Sequence, residues 1–133
     1  MNARLLISIG ILGLSLQLLG CDRTAVSYSA DVEPIFQRHC IECHNGTGEG
    51  VSTSGFSVHE YASVMKGTNL GVVVIPGSSI SSTLYLVVAQ KTAPEIQMPP
   101  HHGEAWAEGR GSPLSDKEVE YIAAWIDQGA LDN

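Results

Sequence analysis

Two cysteines separated by two residues and followed at once by a histidine, Cys40-Ile41-Glu42-Cys43-His44, constrain this chain more than any other feature. Residues three apart share one side of a helical turn, so both sulfurs reach the same neighbour and the next side chain is placed just beyond them. Several chemistries use that spacing. A thioredoxin-like pair follows a strand and opens a helix in a βαβ setting, and no such alternation is visible here. A zinc site would need Cys40, Cys43 and two more ligands from His39, His44, His59, His101 or His102, but no second CxxC or finger-like histidine pair follows. A disulfide across two residues is strained and rarely stabilising. The remaining reading is the c-type haem attachment signature, CxxCH. Cys40 and Cys43 then form thioethers to the two vinyl groups of one covalent haem c, and His44 is the proximal iron ligand.

The start of the chain supports this reading. Arg4 precedes an apolar run from Leu5 to Leu19 that ends at Gly20-Cys21, the pattern of a secretory signal. The run is shorter than the roughly 20 apolar residues that span a bilayer as a helix. Leu18-Leu19-Gly20-Cys21 resembles the lipobox of bacterial lipoproteins, apart from Leu19, where a smaller or β-branched residue is usual. Cys21 is then lipidated, giving a signal peptide over 1–20, a short tether over 21–28 and a domain over 29–133. The alternative is that Cys21 merely ends an ordinary cleaved signal. The chain has three cysteines, and an exported protein with an odd number would normally leave a thiol stranded. One lipidated and two thioether-linked cysteines leave none. The expected location is the periplasm or cell envelope, with contact to the membrane through the lipid anchor only.

A second axial ligand has to come from far along the chain. Met98, in Gln97-Met98-Pro99-Pro100, is the leading candidate. Its neutral thioether suits ferrous iron and raises the potential, and the prolines behind it stiffen the loop. His101 and His102 are the rivals, and either would lower the potential. Met65 reads as a filler of core gaps, with ligation of the iron as its less favoured alternative, and His39 and His59 as surface or packing residues.

The scaffold reads as all-α. Val32, Ile35, Phe36, His39 and Cys40 recur at helical spacing, so a helix is predicted from about Asp31 into the motif, capped by Ser29 or Asp31, with Pro34 in its first turn. Ser115 and Glu118 form a capping box before a stripe of Val119, Ile122, Ala123 and Ile126 that stops at Gly129. Tyr121 and Trp125 are expected to pack against the first helix or the haem edge. Further helices are predicted over 59–66 and about Ser82 to Gln90. Gly46 to Gly55 reads as a loop, and 71–77 as an extended apolar wall against the porphyrin. With only 6% aromatic residues, a bulky prosthetic group is a natural addition to the core. The net charge of -7 argues against nucleic acid and for a redox partner with a basic docking surface.

Taken together these motifs make the chain similar to class I type cytochrome c domains, most of all to planctomycete-type single-haem domains. The similarity runs from about Tyr28 to Gly129. It is carried by Val32-Glu33-Pro34-Ile35-Phe36, the CxxCH, Gly55-Phe56-Ser57-Val58, Tyr61, Met65-Lys66-Gly67 and Ile75-Pro76-Gly77 with Ser82 and Leu84. Met98-Pro99-Pro100, Leu114-Ser115 and Trp125-Ile126-Asp127-Gln128-Gly129-Ala130 complete it. The tract Gly103 to Gly111 is longer than the family's usual link. The resemblance implies an all-helical fold around one haem, proximal His44, distal Met98 and one-electron transfer rather than catalysis. The competing function is a haem-binding subunit or sensor with a displaceable or histidine sixth ligand, associated with a larger redox enzyme.

Overall fold

The structure, a computed structural model, describes residues 24–100 and 111–133. Cys21, His101, His102, the signal segment and most of the 103–111 tract lie outside these residues. A π-helical turn, Tyr28–Val32, runs straight into helix α1, Glu33–His39, with Pro34 in the first turn of α1. Then come α2, Glu49–Ser54; α3, Tyr61–Lys66; α4, Thr83–Val88; and the longest helix, α5, Asp116–Asp127. Short 3-10 turns occupy Ser79–Ser81 and Pro94–Ile96. Among the described residues there is no strand, only an isolated bridge between Thr68 and Gly71, so the domain is all-α as the sequence implies.

The core forms where the first helical segment meets α5. Val32, Ile35 and Phe36 repeat every three to four residues on one side, and Ile122, Trp125 and Ile126 do so on the other. Trp125, 1% exposed, meets Tyr28 at a centroid distance of 5.4 Å and Tyr61 at 6.5 Å. Its Nε1–H donates to the Leu131 carbonyl at 2.9 Å, which satisfies the buried polar atom of the ring. Val58, Val64, Val73, Val74, Leu84 and Val88 close the core from the middle of the chain.

Several expectations need correction. The first helix is capped by Ser27, whose hydroxyl accepts from the Ala30 amide, and Asp31 answers by accepting from the Ser27 amide at 2.8 Å. Ser29 is not the cap, because it is inside the turn and donates to the Asn133 carbonyl through both its amide and its hydroxyl. The Val26 amide donates to Gln128 Oε1 at 2.9 Å, and Tyr28 is buried. The helix also stops at His39 rather than entering the motif. Part of the segment read as a loop, Gly46 to Gly55, forms α2 instead. The 71–77 run divides, with Val73 and Val74 in the core and Val72 and Ile75 exposed. At the start of α4 the Ser82 hydroxyl donates to the Ser78 carbonyl at 2.8 Å.

The capping box on α5 is present in both directions, with Glu118 Oε2 accepting from the Ser115 amide at 2.9 Å. Glu118 Oε1 also receives Arg38 at 2.9 Å and His39 Nε2 at 3.1 Å, so one carboxylate ties α5 to the end of α1. Partial burial pushes the Glu118 carboxyl up, but the bonds from the Ser115 amide and hydroxyl, then the His39 bond and charge, outweigh it and hold the group at about 2. A carboxyl lowered in the folded state stabilises fully above its unfolded value of 4.5, and that contribution is lost as the pH falls toward 2. Glu118→Gln is therefore expected to melt below the native protein at neutral pH, with the gap closing between pH 4.5 and 2. Thermal unfolding across that range checks it, and a gap that does not depend on pH would contradict the assignment.

Candidate haem-attachment site

The motif is a single tight turn at the end of α1. The Cys40 and Ile41 amides both donate to the Phe36 carbonyl at 2.9 Å, so the helix closes as the motif begins. The Cys40 carbonyl then accepts from Cys43 at 3.2 Å and His44 at 2.9 Å, which brings both cysteines and the histidine into one turn. Cys40 and Cys43 are both free and half-buried. Burial, with a smaller contribution from the charge of Cys43, pushes the Cys40 thiol from 9.0 up to about 12. A redox-active CxxC nucleophile needs the opposite shift, so the thioredoxin-like reading has no support here.

The segment after the motif wraps around His44. The Gly50 and Val51 amides, in the first turn of α2, donate to the Cys43 carbonyl at 2.9 and 3.3 Å, and the Val58 amide donates to the His44 carbonyl at 2.8 Å. Gly48 lies so close to the Cys43 backbone that a β-carbon there would collide with its carbonyl. His44 Nδ1 is 2.8 Å from the Phe56 carbonyl oxygen. That oxygen can only accept, so Nδ1 carries the proton, and Nε2 is the nitrogen left to act as a ligand. The Phe56 ring stands edge-on to the imidazole at 5.4 Å. Two free thiols and an imidazole whose Nδ1 is held by a carbonyl, all in one turn, fit a covalently held haem.

Met98 is not in this turn but on a loop hung from α4. Its amide donates to the Val87 carbonyl at 3.1 Å, while buried Gln97 donates through Nε2 to the carbonyls of Gln90 at 3.2 Å and Thr92 at 2.9 Å. Pro99 behind it is buried, and Met98 itself keeps 36% of its surface. The backbone of this loop is therefore held at its base while the thioether stays accessible. Leu70, Val72, Ile75, Ile80 and Ile96 are likewise exposed, an unusual share of large apolar side chains between positions 70 and 98. His39 is engaged by Glu118, and His59 is exposed. The Phe56 carbonyl was not legible in the sequence, since a backbone acceptor twelve residues downstream leaves no residue-type signal. Gly50 carries a faint one, a glycine inside a helical turn.

A small helical domain with a CxxCH turn at the end of its first helix is the arrangement that c-type cytochromes use. Residues 40–102 match the family described as Planctomycete cytochrome C, so this stretch is similar to a planctomycete-type cytochrome c domain. No curated protein and no solved structure matches the chain. A match to that family suggests a covalently bound haem c and a role in electron transfer rather than catalysis. Domains of this type are typically extracytoplasmic. No helix among the described residues is long and apolar enough to cross a membrane.

Proposed function

We propose that the protein is a periplasmic one-electron carrier with a single haem c, in which Cys40 and Cys43 supply the thioethers, His44 the proximal ligand and Met98 the distal ligand. The observation that carries the reading is the His44 ring: its Nδ1–H is committed to the Phe56 carbonyl beside two free thiols, so Nε2 is the nitrogen left for iron. The bound haem supplies the one-electron ferrous and ferric couple. The chain's part is to hold both axial groups still, so that little rearranges when the charge changes. Wedging Met98 between a hydrogen-bonded Gln97 and a buried Pro99 serves that end. The exposed apolar residues between 70 and 98, Val72 and Ile75 among them, are candidates for the surface that a bound porphyrin would cover.

From Cys40 to Met65 the chain carries Glu42, Glu49 and Glu60, all exposed, and no lysine or arginine. That charge favours a redox partner with a basic docking surface, attracted over a distance of about a Debye length, roughly 8–10 Å at physiological salt. Lipidation at Cys21 would hold the carrier at a bacterial membrane, because two or three acyl chains anchor where one does not. With both axial positions filled, the ferrous protein is expected to resist carbon monoxide. Rapid binding would instead favour the sensor or enzyme-subunit reading.

A further inference from the structure

We propose that Gly50 is a positioning residue that fixes the plane of the His44 imidazole, and that a side chain at position 50 changes the electronic state of the iron that His44 ligates. The inference rests on the proposal that His44 is that ligand.

Glycine is a poor residue for the second position of a helix, and Gly50 is not among the residues with positive φ, so its backbone does not require it. What requires it is the approach of the imidazole. A β-carbon on Gly50 would lie 2.5 Å from Cε1, 2.7 Å from Nε2 and 2.8 Å from Nδ1 of His44. Near-equal separations from three adjacent ring atoms put that point over the face of the ring rather than beyond its rim. The bare α-carbon side of Gly50 therefore forms a floor for the imidazole. The Phe56 ring meets the same imidazole edge-on, and the Phe56 carbonyl holds Nδ1.

An exposed histidine would turn away from an added methyl group at little cost. This one has no free turn to make. Rotation in either direction breaks the Nδ1 bond to Phe56, and a ligated Nε2 is held from its other end. Gly50 itself is fixed, because its amide donates to the Cys43 carbonyl. The strain of Gly50→Ala falls on the bond between the imidazole and the iron.

The test compares Gly50→Ala with Gly129→Ala in the haem-loaded, full-length protein. Gly129 has φ +106°, so alanine there strains the backbone, and a β-carbon would meet only the Leu131 side chain at 3.9 Å. Low-spin ferric EPR g values, which report the orientation of an axial imidazole, and the midpoint potential are the readouts. Gly50→Ala is expected to shift both, whereas Gly129→Ala lowers thermal stability and shifts neither. Unchanged g values and potential in Gly50→Ala, or an equal shift in Gly129→Ala, would overturn the proposal. Should Gly50→Ala fail to fold, proton NMR of the native ferrous protein decides. Cross-relaxation between the Gly50 α-protons and the His44 ring protons is expected, and its absence overturns the proposal. Failure of the underlying reading shows separately, as a native sample without covalent haem or without an imidazole-ligated EPR signal.

Discussion

In the Met98→Ala protein the midpoint potential is expected to fall and carbon monoxide to bind the ferrous form readily, while the fold survives. The thioether is a soft, neutral ligand that favours ferrous iron, so removing it removes that preference and opens a coordination position. Axial ligands set haem potentials over about 0.8 V, so a loss on the order of 0.1 V or more is the expected scale. Met98 keeps 36% of its surface, and its loop is held by its own backbone and by Gln97 rather than by the sulfur. Absorption spectra with and without carbon monoxide, together with a redox titration, check this. Spectra and potential identical to the native protein would move the distal ligand to His101 or His102.

Trp125→Ala is expected to be the most damaging single change in the scaffold. The ring is almost wholly buried between Tyr28 and Tyr61, and its indole N–H has a carbonyl partner in Leu131. Truncating a buried aromatic to alanine costs about 3–5 kcal/mol, to be set against a total stability of roughly 5–15 kcal/mol for a domain. The loss would loosen the contact between the first helix and α5, and α1 leads directly into the attachment turn. Denaturant unfolding of the haem-loaded protein measures it. A loss of less than about 1 kcal/mol would show that the helix crossing is not the seat of stability.

The parts legible in the sequence share a physical character: they are set by residues close together in the chain. The capping box of Ser115 and Glu118, the apolar stripe of α5, the first-turn proline of α1 and the turn Cys40–His44 are all local. The parts missed are set from a distance. The helical turn of α2 runs through Gly50, Ser52 and Thr53, weak helix formers, and is seated on the Cys43 carbonyl by tertiary hydrogen bonds. The cap at Ser27 lies two residues before the expected one, because the amides of Tyr28 and Ser29 are held by Asn133 from the other end of the domain. Val26 joins the fold through its side chain, packed against the core, and through Gln128, which receives its amide. At the candidate site the two cysteines and the histidine share one turn, as their spacing implies, whereas the backbone carbonyl of Phe56 left no residue-type signal and Gly50 only a faint one. His101, His102 and Cys21 remain expectations from sequence, since they lie outside the described residues.

The most direct measurement is the intact mass of the mature polypeptide, made by its native host and extracted with acidified organic solvent. The expected result is a chain that retains the mass of one haem, with the fragment containing Cys40 and Cys43 carrying it. A chain that emerges without a tetrapyrrole would contradict the assignment of the turn Cys40–His44.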